Sequence, residues 1–174
     1  MARIYKRFLF ALVAACAVST CTNSEAPRAS ATEVTEIALA EIPQSVRDVV
    51  SAARPEFETS EVLKKVRDGR VYYDVEGELP NGEEIEFDVL MTKNGPEIVE
   101  IQRDLDWDAV PLIARSAVNE TNTDSLEVVR IIESLQTDES IIYEIFVDGH
   151  TSEPRFEIRV TDGVAEVLPT PWKH

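Results

Sequence analysis

Two stretches of this sequence, FDVLMTKNG at Phe87 to Gly95 and FEIRVTDG at Phe156 to Gly163, carry nearly the same pattern of apolar, polar and turn residues. Both alternate apolar and polar residues with period two and end on a glycine, which is typical of a strand that enters a tight hairpin turn. The repetition predicts that the chain contains two copies of one small β-rich unit.

Each stretch follows a short helical pattern: IPQSVRDVVSAA at Ile42 to Ala53, and VPLIARSAVNE at Val110 to Glu120. Both patterns open on an apolar residue followed by proline, which suits the first turn of a helix. Four strands are predicted after each helix, at residues 61–67, 71–79, 83–91 and 97–102, and then at 125–135, 139–147, 154–161 and 164–168. We therefore predict an α+β fold of two tandem repeats, each a short helix followed by a four-stranded antiparallel meander.

Period-two alternation also predicts which side chains pack beneath the helices. They are Val71, Tyr73, Val75, Ile85, Phe87, Val89 and Met91 in the first copy, and Ile141, Tyr143, Ile145, Val147, Phe156, Ile158 and Val160 in the second. These faces match across the first hairpin only if its loop has an odd number of residues. On this basis we expect Val75 to lie opposite Val89, and Glu76 opposite Asp88.

The beginning of the chain predicts export. The basic MARIYKR precedes FLFALVAACAV, an apolar run too short to span a bilayer, as in a signal peptide. VAAC resembles a bacterial lipobox, so Cys16 is the predicted lipidation site, with Cys21 and ordinary cleavage after Ala17 as alternatives. We expect a signal peptide at 1–15, a flexible tether at 16–38, and a periplasmic or cell-surface lipoprotein that contacts the membrane only through its lipid anchor.

The IP opening of the first helix, VYYDVEG and FDVLMTKNG together resemble the PepSY-like family in tandem. The architecture is similar to that of the β-lactamase inhibitor proteins, which are built from two helix-plus-four-strand repeats. The resemblance implies one repeat at 39–104 and a second at 105–174. It further implies an exported, non-catalytic module that binds proteins, including secreted peptidases and other envelope enzymes.

Charge and composition exclude several functions. A net charge of −16 makes nucleic acid an unsuitable partner, because phosphate binding requires clustered Lys and Arg. The two histidines, His150 and His174, have no metal-ligand spacing, and both cysteines precede the folded part. DLDWD at Asp104 to Asp108 does not begin a calcium loop, because the later Gly and Glu of that motif are missing. We therefore predict no catalytic residues, no metal and no cofactor.

The outward faces of the two predicted sheets differ. The first carries carboxylates, whereas the second would present Val129, Ile131, Ile142 and Phe146. An apolar outer face has to be covered, either by the other copy or by a partner. If a partner covers it, Tyr72, Ile142 and Phe146 are the predicted anchors.

The carboxylates Glu76, Glu86 and Asp88 would then form an electrostatic rim around those anchors. The predicted function is a protein-binding module of the bacterial envelope that inhibits or regulates a secreted or envelope enzyme. The alternative is a structural envelope protein, or one that senses cations or cell-wall ligands.

Overall fold

The computed structural model describes residues 32–121 and 127–172 of the 174-residue chain. It contains nine strands and two α-helices in these ranges. In chain order they are β1 (Glu33–Glu36), α1 (Gln44–Ala53), β2 (Glu58–Arg67), β3 (Arg70–Glu78), β4 (Glu84–Thr92), β5 (Gly95–Asp104), α2 (Leu112–Thr121), β6 (Val128–Gln136), β7 (Ile141–Val147), β8 (Phe156–Thr161) and β9 (Val164–Val167). Short 3-10 turns at Leu39–Glu41 and Trp107–Ala109 precede the two helices.

Two of the hairpins turn through an Asp-Gly pair, whose residues accept a left-handed backbone. Asp68 and Gly69 join β2 to β3 with φ values of 52° and 75°, and Asp162 and Gly163 join β8 to β9 with the same values. Positive φ at both central positions is the geometry of the type I′ turn, whose twist matches that of the flanking strands. The DG pairs therefore fix where these strands begin and end.

Both helices are short, and α1 ends at Ala53 because the next residue, Arg54, is not helical. Arg54 is extended, with φ of −143°. It precedes Pro55, whose ring disfavours the helical conformation of the residue before it. Within the described residues, neither helix is both long enough and apolar enough to cross a bilayer.

The expected division into two helix-plus-four-strand repeats is wrong. All nine strands form one antiparallel sheet in the order β1 to β9, so the sheet continues from the first half of the chain into the second. The halves join where β5 pairs with β6, from Glu100 opposite Gln136 to Asp104 opposite Ile132. Two separate four-stranded sheets would each leave two edges of unpaired backbone groups, and this pairing removes one edge from each.

Arg103 reinforces the junction between the halves. Its Nη1 atom donates to Glu83 Oε1 at 2.6 Å, and its Nε atom donates to Glu133 Oε1 at 2.7 Å. Glu83 lies in the β3–β4 loop, whereas Glu133 lies on β6, so one guanidinium links the two halves. Because Arg103 is largely exposed, we expect this link to add modestly to the backbone pairing.

The prediction of a flexible tether at 16–38 is wrong for its last part, because a strand begins there. Residues Glu33–Glu36 form β1, which pairs with β2 from Glu33 opposite Val66 to Glu36 opposite Leu63. All four residues are exposed, so this edge strand carries no apolar alternation that would have revealed it. The predicted signal peptide and Cys16 lie outside the described residues.

The core lies between the helices and one face of the sheet, which we call the helix face. Around α1 the buried residues are Ile42, Val46, Val50, Val62, Tyr73, Val75, Ile85, Phe87 and Val89, and around α2 they are Val110, Ala114, Val118, Ile131, Tyr143, Ile145, Val147 and Ile158. The predicted inward residues of both halves belong to or pack against these clusters, which confirms the alternation. Ile131 is an exception, because the sequence pattern predicted that it faces outward. A β-bulge beside Arg130 shifts the alternation and places Ile131 in the core.

The first hairpin confirms the odd loop but not the predicted pairs. Leu79 to Glu83 form a five-residue connection between Glu78 and Glu84. Val75 lies opposite Phe87 rather than Val89, a shift of two residues that leaves every side chain on its predicted face.

Because the sheet is continuous, we expect the two halves to unfold in one transition. Phe87 and Ile145 are both fully buried, one in each half, and Phe87 meets Phe57 edge to face at 5.0 Å. Phe87→Ala is expected to lower the free energy of unfolding by about 3 to 5 kcal/mol, and Ile145→Ala by about 2 to 5 kcal/mol.

Thermal unfolding followed by far-UV circular dichroism checks this expectation. Each substitution should move the whole transition to lower temperature, whereas Leu112→Ala, at a side chain that is 71% exposed, should change stability by less than about 0.5 kcal/mol. Two resolved transitions, each sensitive to only one of the buried substitutions, would contradict a single cooperative sheet.

Candidate binding surface on the open face of the sheet

The side of the sheet opposite the helices, here called the open face, carries an array of carboxylates. Register places them in three rows across neighbouring strands. The rows are Glu58, Glu78 and Glu84; Glu61, Glu76 and Glu86; and Asp74, Asp88 and Glu100. We refer to these nine residues as the acidic surface.

Within each row, neighbouring carboxylates lie directly opposite each other. Glu76 faces Glu86 across β3 and β4, and Asp74 faces Asp88 one step further along the same strands. Like charges in this position destabilise a sheet, because opposed Cβ atoms are only about 4.5 to 5.5 Å apart. The acidic surface is therefore an arrangement that the fold has to tolerate, and its stability must come from elsewhere.

The acidic surface has an exposed part and a buried part. Glu58, Glu61, Glu76, Glu78 and Glu84 are exposed around the end of the β3–β4 hairpin. Further along the strands, Asp74, Asp88 and Glu100 are buried, at 4%, 5% and 2% exposure. Glu86 is intermediate and connects the two parts.

Lys65 on β2 supplies a positive charge to the buried part. Its ammonium group forms an ion pair with Asp74 Oδ2. Burial alone would lower the pKa of Lys65, but the carboxylates of Asp74 and Asp88 outweigh that effect and raise it. Lys65 therefore stays charged beside the cluster.

The carboxyl groups of Asp74 and Glu86 hold protons more tightly than usual. Burial, followed by hydrogen bonding and repulsion from Asp88, raises the pKa of Asp74 to about 9, although Lys65 acts in the opposite direction. Burial, followed by repulsion from Asp88, raises the pKa of Glu86 to about 7. Near neutral pH the buried cluster is consequently only partly ionised.

A small cavity of about 40 Å³ opens on this cluster. It is lined by Glu61, Leu63, Asp74, Glu76 and Glu86. One oxygen each from Asp74, Glu86 and Asp88 also lies within 4.8 Å of the other two, a spacing that oxygen ligands around one bound cation can have. The open face thus brings together the three carboxylates predicted from the sequence, Glu76, Glu86 and Asp88.

The predicted apolar anchors lie on the same face but are not exposed. Tyr72 is 2% exposed, Ile142 is fully buried and Phe146 is 6% exposed. The guanidinium carbons of Arg67 and Arg70 lie 5.0 and 5.2 Å from the centre of the Tyr72 ring.

Arg130 lies over Phe146 in the same way, at 5.8 Å. Long arginine side chains cover apolar surface with their aliphatic stems and keep the charge in water. The three anchors therefore do not form the exposed apolar patch that the sequence suggested.

The C-terminal segment packs against the open face of the second half. The backbone N–H of Trp172 donates to Glu157, and its Nε1 donates to Gln136 Oε1 at 3.0 Å. Gln136 Nε2 in turn donates to Glu100 Oε1 at 2.6 Å, and the Arg159 guanidinium lies 4.8 Å from the centre of the Trp172 ring. This network ties Glu100 of the acidic surface to the end of the described chain.

Sequence reasoning missed Glu58, Glu61 and Glu100 as parts of this surface. A β-bulge near Ser60 interrupts the alternation of β2, and a second irregularity lies where Asp88 and Val89 pair with β5. Period-two counting does not carry across such an extra residue. The one available signal was the abundance of Glu in ETSE and PEIVE, which indicates charge but not its face.

A second cleft, of about 190 Å³, lies on the helix face beside α1. Its walls are mainly aliphatic, from Val46, Val50 and Val75. Arg47 at its rim donates to Gln44 Oε1 and to the Leu39 carbonyl. The cleft contains none of the predicted site residues and no carboxylate, so the acidic surface is the stronger candidate.

No protein-family model matches this chain, and no curated protein matches it. Among solved structures, the chain is similar to a "putative periplasmic protein" of the DUF2874 family from Bacteroides vulgatus, with 18% identity and a TM-score of 0.32. The similarity covers 78% of this chain and 94% of that one. It is too slight to carry an argument about fold or function, and the comparisons give no support to the PepSY-like resemblance.

Stability is expected to fall as pH rises from about 5 to about 9. Asp74 and Glu86 have raised pKa values in the folded state, so the folded chain retains protons that the unfolded chain has released. Their contribution is complete below the unfolded values of 3.8 and 4.5 and is lost as pH passes through about 7 for Glu86 and about 9 for Asp74. Melting temperature measured against pH in EDTA, to remove divalent ions, checks this.

Asp74→Asn provides the matched variant, because an amide keeps the shape of the protonated carboxyl without a charge. At pH 8 it should stabilise the protein by about 1 to 3 kcal/mol, the scale of a buried polar group left uncompensated, and it should flatten the pH profile. Asp148→Asn, at an exposed position, serves as the control. A wild-type profile that rises from pH 5 to pH 9 would contradict the assignment.

Proposed function

We propose that this chain is an exported, non-catalytic binding protein of the bacterial envelope, and that its acidic surface binds a basic protein. The observation that carries the proposal is the set of three rows in which carboxylates face each other across adjacent strands. Such rows cost stability. A basic partner would turn this unfavourable feature into a favourable one, because its Lys and Arg side chains would neutralise the surface.

Export is supported by the sequence of the N-terminus, where a basic segment precedes a short apolar run. Under this proposal the mature chain is periplasmic or displayed at the cell surface, and it is lipidated at Cys16, with Cys21 or ordinary cleavage as the alternatives. The protein from Bacteroides vulgatus is described as periplasmic, which agrees with this location, but the similarity is too slight to support it.

The exposed part of the acidic surface is the proposed contact region. Glu76, Glu78 and Glu84 are exposed on adjacent strands, where they can reach a partner without rearrangement of the sheet. Complementary charge mainly accelerates encounter and selects the partner, and its effect falls as salt rises. Since Tyr72, Ile142 and Phe146 are buried, binding through this region would depend on charge more than on apolar anchors.

A secreted or envelope enzyme with a basic surface is the partner class that we favour. Covering such a surface near a catalytic cleft would block access of substrate, which is how an acidic binding protein could inhibit or regulate an enzyme. This role requires no catalytic residue in the chain itself.

The proposal can be tested with a charge-neutralised variant. Glu76→Gln, Glu78→Gln and Glu84→Gln together remove three exposed charges from the acidic surface. The control, Glu120→Gln with Asp148→Asn and Glu153→Gln, removes the same number of exposed charges elsewhere. Mature wild-type protein immobilised through its N-terminal segment is used to isolate a partner from envelope extract, and the affinity of the purified partner is then measured in EDTA for all three proteins.

We expect the acidic-surface variant to bind at least about tenfold more weakly than the control, and wild-type affinity to fall as salt is raised. The same variant should be slightly more stable than wild type, because each relieved like-charge pair is worth about 0.2 to 1 kcal/mol. Weaker binding in a more stable protein cannot be attributed to unfolding. Equal affinity of both variants, or affinity that does not depend on salt, would refute the proposed surface.

A further inference from the structure

We infer that Asp74, Glu86 and Asp88 form a binding site for a divalent cation of the calcium type. This inference does not depend on the proposed basic partner. It concerns the buried part of the acidic surface, whereas the partner is proposed to bind the exposed part.

The geometry of the three side chains suits a hard cation. They extend from adjacent strands, with Asp74 opposite Asp88 and Glu86 two residues before Asp88 on β4. One oxygen from each lies within 4.8 Å of the other two. Calcium binds oxygen ligands at about 2.3 to 2.6 Å, so oxygens on opposite sides of the ion are about 5 Å apart, and this cluster fits within that sphere.

A second observation points to a ligand at this place. Asp74 is only 4% exposed, and its Oδ1 atom has no donor group near it within 32–121 or 127–172. Its hydrogen bond with Asp88 requires a proton on one of the two carboxyl groups, so it is lost when both are ionised. A buried carboxylate oxygen without a partner is costly. Asp74 also lines the small cavity together with Glu61, Glu76 and Glu86, so a cation there would meet additional oxygen ligands.

Lys65 contributes one positive charge to this cluster and does not balance it. Its ammonium group contacts Asp74 through Oδ2, the other oxygen of that carboxyl group. The side chain of Lys65 is 35% exposed, so its charged end can move towards water when an ion binds. We therefore expect Lys65 to compete with the cation.

Calcium should bind more tightly than magnesium at this site. Magnesium requires a nearly ideal octahedron at about 2.0 to 2.1 Å and gives up its water reluctantly. Carboxylates fixed on two paired strands cannot easily contract to that geometry, whereas calcium accepts irregular sets of six to eight oxygens.

The test is calorimetric titration of the mature protein with calcium chloride after removal of divalent ions, at constant ionic strength and without any partner. Asp88→Asn and Glu86→Gln should each weaken calcium binding at least about tenfold. Lys65→Gln should strengthen it several-fold because the competing charge is gone. Glu97→Gln removes an exposed carboxylate of the same face outside the cluster, and its affinity should stay within about twofold of wild type.

The melting temperature gives an independent readout, since a ligand that binds only the folded state stabilises it as its concentration exceeds the dissociation constant. Wild type should gain stability with calcium, and Asp88→Asn should gain much less. No binding up to about 10 mM calcium, or binding that Asp88→Asn and Glu86→Gln leave unchanged, would overturn the inference. Because partner affinity is measured in EDTA, failure of the cation site and failure of the partner proposal are separate results.

Discussion

The pairing of β5 with β6 is the interaction on which the rest of the structure depends. It runs from Glu100 opposite Gln136 to Asp104 opposite Ile132 and joins the two halves of the chain in one sheet. The same pairing orients Glu100, whose carboxylate accepts a hydrogen bond from Gln136 and completes a row with Asp74 and Asp88. The junction between the halves therefore also holds one carboxylate of the acidic surface in place.

The two faces of the sheet have opposite energetic roles. The helix face holds two apolar clusters, centred on residues such as Phe87 and Tyr143, and their burial is the main source of stability. The open face carries opposed carboxylates that reduce stability. A protein can keep such a surface only if its core provides a surplus, which makes the acidic surface a better candidate for function than for structure.

Local sequence patterns predicted most of the strands, both helices and the helix face, because period-two alternation and DG turns report on near neighbours in the chain. They could not predict that the halves share one sheet, since edge pairing between β5 and β6 is not encoded in either strand alone. The bulge beside Arg130 moved Ile131 into the core, and the polar strand β1 had no apolar pattern to detect.

The candidate site was predicted in part for the same reason. The alternation of β3 and β4 is regular, so the sequence alone could predict that Glu76, Glu86 and Asp88 share one face. Glu100 belongs to a neighbouring strand and joins them only through the sheet. The burial of Tyr72 and Phe146 depends on arginines packed over their rings, a contact that hydrophobic patterning does not reveal.

The strictly sequential order of the nine strands also has a consequence for how the chain reaches this structure. Each strand pairs only with its neighbours in the sequence, so most sheet contacts close short loops rather than long ones. Chains with mainly local contacts fold faster than β-proteins whose strands pair across long separations. The sheet can therefore assemble hairpin by hairpin, which shortens the time that unpaired strand edges are open to aggregation.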